Sequence, residues 1–189
     1  MPYTLPPIDQ VPQLSRDDQT ELLANLFERE ATLSNLLIDT VLRQPHGSYR
    51  QLIEACRGVL VSVLEDADAA AARGEAYDPR VAEIIGAHPR LGGSSKVKTT
   101  QLSEHSSAEQ KSLAGSAEET QKLIDLNDRY EATFPGLRFV CFVNGRPRPV
   151  IMDEMERRIK RNDVDAERRE AFDAMCDIAY DRAKKLGAE

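Results

Sequence analysis

The chain alternates stretches of helical periodicity with short turn segments. Seven apolar residues between Leu52 and Leu64 recur at spacings of three and four, which places them on one stripe of a central core helix. Ser15 precedes Asp17 and Asp18, as is typical of a helix start, and the helix that follows is predicted to run to about residue 30. Five further helices are predicted around residues 33–42, 79–87, 106–130, 151–159 and 171–186.

The remaining segments complete an all-α prediction. Residues 1–14 contain four prolines, which disfavour a helix, so we predict an extended N-terminal arm there. Residues 15–189 are predicted to form a single all-α domain, a multi-helix bundle. Residues 137–143 have a strand-like composition, but a lone strand has no partner to pair with. An extended segment threading between helices, or a short buried helical turn, is the expected form.

Charge and composition exclude several classes of function. The chain has 189 residues and 41% hydrophobic content, and its 32 acidic and 25 basic residues give a net charge of −7. A nucleic-acid partner is not expected, because phosphate-reading domains have a basic face. No apolar run approaches the ~20 residues of a membrane helix, so no membrane partner is expected either.

Targeting motifs and cysteine spacing indicate where the protein is expected to be located. The first residues have no basic and apolar secretory signal, and the last three do not form a peroxisomal address. A cytoplasmic protein is predicted, with a peroxisomal route left open. Cys56, Cys141 and Cys176 are odd in number and lack metal or redox spacing, so we expect reduced, buried thiols.

Histidine is the scarcest titratable side chain in the sequence. His46 and His105 lie in polar surroundings and are expected to be exposed. His88 follows an apolar helical turn and precedes Pro89, which biases it away from helical backbone, so it should close its helix and project from a fixed position. By itself, this pattern is more typical of a structural histidine than of a catalytic one.

Glu109 also has a structural interpretation. Ser106 and Glu109 match the capping box, in which serine and glutamate satisfy each other's backbone N–H groups. The same cap would hold a carboxylate at a helix N-terminus, near N–H groups that suit a ureido or anionic ligand. His105 and Glu109 are one turn apart and could touch a metal, but no third ligand stands out, so no metal site is predicted.

The mixed-charge run over residues 154–170 is typical of a solvated helix face with ion pairs at spacings of three and four. One or two of its arginines could still turn inward. The sequence therefore leaves open whether a late arginine enters a functional site.

Several short motifs occur in an order that is characteristic of one enzyme family. They are His88-Pro89-x-Leu-Gly, Ser106-x-x-Glu109-Gln110, Leu126-Asn127-x-x-Tyr130, Phe139-Val140 and Arg158-Ile159-x-x-Asn162. Each is weak alone, but the ordered set resembles the OHCU decarboxylases, which act on 2-oxo-4-hydroxy-4-carboxy-5-ureidoimidazoline (OHCU) in urate degradation. The resemblance covers residues 22–186.

The resemblance implies a reaction and an assembly. It implies a carbon–carbon lyase that converts the small-molecule substrate OHCU to (S)-allantoin and carbon dioxide. It further implies an all-α fold, a homodimer, and no metal or organic cofactor.

The resemblance also implies a set of site residues. The catalytic residues would be His88, Glu109 and Arg182, although Arg158 is the other candidate for the arginine. The substrate-binding residues would be Pro89, Ser106, Phe139, Val140, Cys141 and Phe142.

Two departures from the family pattern keep other functions open. Arg90 replaces an acid, and His105 stands where a glutamate is common. The alternatives are a related ureide or imidazole lyase or hydrolase on the same scaffold, and a non-catalytic helical binding module.

Overall fold

The computed structural model describes residues 2–92, residue 105 and residues 117–188. All regular structure in this part of the chain is helical, which confirms the all-α prediction. A 3₁₀ helix, Ile8–Gln13, comes first. The longer elements are α1 (Arg16–Leu26), α2 (Ala31–Leu37), a π-helical segment (Ile38–Leu42), α3 (Tyr49–Ala72), α4 (Pro79–Gly86), α5 (Ala117–Thr133), α6 (Arg148–Arg161) and α7 (Val164–Lys185).

Helix α1 begins as predicted and ends earlier than predicted. The Ser15 hydroxyl accepts a hydrogen bond from the Asp18 amide at 3.1 Å, as an N-cap should. The helix ends at Leu26 rather than near Glu30, because Glu30 is the N-cap of α2. The Glu30 carboxylate accepts from the Leu33 amide at 2.7 Å, and its own backbone is extended.

Helix α3 lies at the centre of the hydrophobic core. It packs most extensively against α7, which also contacts α1 and α4, while α5 packs against α6. The predicted stripe on α3 is buried except for Val59, which is half-buried. The buried apolar residues form one cluster, which includes Val11 near the start of the chain and Ala183 in α7. No helix among the described residues is long and apolar enough to cross a membrane.

The N-terminal segment corrects the prediction of an extended arm over residues 1–14. Ile8–Gln13 form a 3₁₀ helix with Pro12 inside it, which is possible because the fixed φ of proline matches that helix. Val11 is buried, and its carbonyl accepts from the Gln19 amide side chain at 3.0 Å. The segment is therefore part of the core.

The apolar run at residues 137–143 is an extended segment without strand pairing, which is one of the two predicted forms. It ends in a turn where Asn144 and Gly145 have φ of 47° and 73°. Phe139 packs edge-on against Tyr130, with ring centroids 5.4 Å apart, and the Arg158 guanidinium lies 4.5 Å from the centre of the Phe139 ring. Helices α5 and α6 thereby hold the segment in place.

Candidate functional site

The end of α4, the extended segment and the last turns of α7 surround a cavity of about 360 Å³. Seven of the nine residues that the sequence nominates line it, and Ser106 and Glu109 lie outside the described residues. The lining residues are His88, Pro89, Leu91, His105, Phe139, Val140, Cys141, Phe142, Val143, Asn144, Gly145, Ile178, Asp181, Arg182 and Lys185.

His88 lies in the cavity wall just beyond the last residue of α4. Its amide donates to the Ile85 carbonyl at 3.3 Å, and only 5% of the residue is exposed. Nε2 is buried and has no hydrogen-bond partner among the described residues, a state that is costly unless a ligand or another group supplies one. Burial, with the positive charges of Arg182 and Arg138, lowers the pKa of His88 to about 3. The imidazole is therefore neutral near pH 7.

Arg182 reaches the cavity from α7 and is 1% exposed. One guanidinium nitrogen donates to the Phe27 carbonyl at 2.5 Å, and the other lies 3.0 Å from the Glu28 carboxylate. Arg182 thus binds the end of α1 as well as lining the cavity. Glu28 could not be nominated from the sequence, because a single acid beyond a helix end leaves no periodic signal.

Arg158 occupies a different position from Arg182 and does not line this cavity. Its guanidinium lies 2.6 Å from the Glu167 carboxylate, and both side chains are almost fully buried. The Tyr130 hydroxyl donates to the same carboxylate at 3.1 Å. Arg158 is therefore the inward-turned arginine of the charged run, and it packs behind Phe139.

Arginine side chains also bind the extended segment from outside the cavity. Arg146 donates to the Phe142 carbonyl at 2.6 Å and to the Val143 carbonyl at 3.1 Å. Another of its contacts, 2.9 Å long, reaches the Cys141 sulfur, and burial raises the pKa of that thiol to about 11. Cys141 is therefore a protonated thiol at neutral pH, and Cys56 and Cys176 are likewise free and buried, as predicted.

The other polar residues of the cavity lie on α7 and at position 105. Lys185 and Asp181 form an ion pair of 2.8 Å at spacing four. His105 is half-buried rather than exposed, which corrects its prediction, because it faces the cavity. His46 is also half-buried, with Nε2 3.0 Å from the Val41 carbonyl.

Arg90, one of the two departures from the family pattern, does not line the cavity. Its guanidinium pairs with Asp128 at 2.9 Å and with Glu131, both on α5. The replacement therefore attaches the loop after α4 to α5 and adds no positive charge to the cavity wall.

No cluster of three or more His, Cys, Asp and Glu side chains that could hold a metal ion occurs within residues 2–92, 105 and 117–188. A reaction without metal or organic cofactor remains a prediction from the resemblance.

The comparisons with known proteins identify a family. A family model described as OHCU decarboxylase matches residues 12–184, most of the chain. That family consists of carboxy-lyases, which defines the class of enzyme. The chain belongs to the OHCU decarboxylase family, and this supports a decarboxylase role in urate degradation. No curated protein matches the chain.

Proposed function

We propose that the protein converts OHCU to (S)-allantoin and carbon dioxide. The observation that carries the proposal is the neutral, buried imidazole of His88, whose Nε2 lacks a partner among the described residues, in the wall of a small cavity with a mostly apolar lining. The cavity volume of about 360 Å³ lies in the range of small-molecule sites.

The substrate carries a carboxylate and a hydroxyl on one ring carbon and a ureido group on the next. The bond to the carboxylate breaks, carbon dioxide leaves, and the electron pair forms a double bond to the ureido-bearing carbon. The electrons of that carbon's former double bond to the ring nitrogen move to the nitrogen, which takes up a proton. The hydroxyl then loses its proton to become a carbonyl, while the ureido-bearing carbon gains one. Starting from the carboxylate, the overall reaction takes up one proton.

His88 would accept the hydroxyl proton or guide its transfer. A general base must be unprotonated at the working pH, and burial keeps this imidazole neutral in the substrate-free protein. The carboxylate of a bound substrate would raise the pKa of His88 and so strengthen it as a base. If the ring is bound with one face towards the proton source, the ureido-bearing carbon is protonated on that face only. The product is then one enantiomer, whereas spontaneous decay gives the racemate.

The other cavity residues would bind and orient the substrate. Arg182 places a positive charge in the wall, which favours the substrate carboxylate. Pro89 and the backbone of residues 139–142 would contact the ring and the ureido group. Ser106 and Glu109 would accept from the ureido N–H groups. A homodimer is proposed from family membership alone.

The test uses substrate made in situ by urate oxidase and the hydrolase that follows it. Circular dichroism at the allantoin band should show a one-handed signal with the wild-type protein. His88→Asn should leave only the racemic background, while the matched control, His46→Asn, should retain activity because His46 does not line the cavity. Normal production of (S)-allantoin by His88→Asn would refute the proposed role.

Glu109→Gln separates capping from catalysis. Glutamine also serves in a capping box, so a purely structural Glu109 predicts a nearly neutral change. We expect instead a large loss of activity with an unchanged urea midpoint. Unchanged activity would remove Glu109 from the mechanism.

A further inference from the structure

The amides of Ala87 and His88 donate to the Ile84 and Ile85 carbonyls at the end of α4, whereas the Gly86 and His88 carbonyls accept from a side chain. The last carbonyls of a helix have no partners within it, and amides beyond the helix end commonly bond to them. Here the residue after His88 is Pro89, which has no N–H group. Pro89 therefore cannot donate to a carbonyl of the preceding turn.

Arg138 provides the donor for both the Gly86 and the His88 carbonyl. Its Nη1 donates to the His88 carbonyl at 2.8 Å and lies 3.2 Å from the Gly86 carbonyl. Hydrogen bonds from a charged donor are shorter and stronger than neutral ones, so this contact restrains the backbone that carries the His88 imidazole.

The Arg138 guanidinium is itself restrained from α5. Its Nε lies 3.4 Å from the Glu131 carboxylate, which also pairs with Arg90. Glu131 thus connects two arginines that bind the same region. Within the described part of the chain, only the Arg138 side chain contacts the His88 carbonyl.

Arg138 is also next to the extended segment that forms another part of the cavity wall. It immediately precedes Phe139, the first residue of the segment that lines the cavity. One residue therefore connects His88 with the segment at residues 139–142. Arg138 itself is not among the cavity-lining residues, so it does not contact a ligand bound there.

We propose that Arg138 is a positioning residue, which fixes His88 relative to residues 139–142 through its hydrogen bonds to the carbonyls of His88 and Gly86. This proposal rests on the proposed function. Misplacing a catalytic group by about 1 Å can cost on the order of 100-fold in rate, so loss of the contact should be visible in turnover.

The test compares Arg138→Gln and Arg138→Lys with the control Arg90→Gln. Arg138→Gln should lower kcat by about 10- to 100-fold with KM within about twofold, because the residue is outside the cavity. It should also lower the enantiomeric excess of allantoin, measured after subtraction of spontaneous decay. Arg138→Lys keeps one charged donor and should lose less. Arg90→Gln breaks its ion pairs with Glu131 and Asp128 but leaves the His88 contact, so its kcat and enantiomeric excess should be those of the wild type.

Three results would overturn the proposal. The first is a wild-type kcat and enantiomeric excess in Arg138→Gln. The second is a loss of kcat and enantiomeric excess in Arg90→Gln equal to that in Arg138→Gln. The third is a change in Arg138→Gln that affects KM and leaves kcat unchanged. Urea unfolding of each variant checks folding. If Arg138→Gln does not fold, wild-type kcat and enantiomeric excess in the folded Arg138→Lys variant also overturn the proposal.

A second measurement separates this proposal from the proposed function. The imidazole NMR signals of a protein with three histidines can be assigned with His88→Asn. Arg138→Gln should shift or broaden the His88 signal, and Arg90→Gln should not. An inactive wild-type protein would refute the proposed function, while an unmoved His88 signal in Arg138→Gln would refute the positioning role.

Discussion

His88 should make the free energy of unfolding fall as the pH falls from 7 to 5. In the folded chain, burial and the charges of Arg182 and Arg138 lower the pKa of His88 to about 3, whereas the ordinary value is 6.5. Between these values the unfolded chain binds a proton that the folded chain does not. The contribution of His88 to stability is therefore complete above pH 6.5 and is lost as the pH falls towards 3.

The magnitude of this effect follows from the pKa difference. Each pH unit inside the window costs about 1.4 kcal/mol of unfolding free energy. Between pH 7 and pH 5 the loss is about 2 kcal/mol, since the unfolded histidine is only partly protonated at the upper end of that range.

The assay is urea unfolding of the wild type and of His88→Asn at pH 7, 6 and 5. Carboxylates also titrate in this range, but they do so in both proteins, so the difference between the two pH profiles isolates His88. We expect the wild type to lose about 2 kcal/mol more than the variant between pH 7 and pH 5. Parallel profiles would refute the reasoning, because they would mean that the folded His88 binds a proton as readily as an exposed histidine does.

Three further changes test the fold and the site. Glu167→Ala should cost about 3–5 kcal/mol in urea unfolding, because it removes the fully buried partner of Arg158 and the acceptor of the Tyr130 hydroxyl; a loss below about 1 kcal/mol would mean that Glu170, 3.1 Å from Arg158, compensates its charge. Ser15→Ala should cost about 1 kcal/mol in the same assay through loss of the α1 cap, and no change would contradict that cap. Arg182→Lys should lose most decarboxylase activity and about 1.5–3 kcal/mol of stability, because an ammonium cannot reproduce the planar two-sided contact with Phe27 and Glu28; retained turnover would exclude Arg182 from catalysis.

Local sequence patterns predicted the helices well where burial dictates the pattern. The α3 stripe and the Ser15 cap depend on contacts within one helix, or on which of its faces meets the core, so periodicity and residue type reveal them. The predicted end of α1 near residue 30 was wrong because Glu30 caps α2. The predicted extended N-terminal arm was wrong because Pro12 fits a 3₁₀ helix. In both cases a neighbouring structure decided between two conformations that the local sequence allows.

The candidate site could be nominated but not assembled from the sequence. The motif resemblance selected His88, Arg182 and residues 139–142, and the structure brings them around one cavity, although their roles remain proposals. Glu28 and Arg138 were missed because their contacts are long-range bonds to a guanidinium or to backbone carbonyls. Such bonds depend on the folded path of two distant segments and leave no spacing signal in either one.

The packing of α7 against α1, α3 and α4 has a consequence for synthesis on the ribosome. The cavity takes Ile178, Asp181, Arg182 and Lys185 from the last turns of this helix. A nascent chain that has emerged only as far as α6 has no such hollow, and the apolar faces of its earlier helices are left uncovered. Ligand binding during translation therefore has to wait until the last helix has left the exit tunnel and docked.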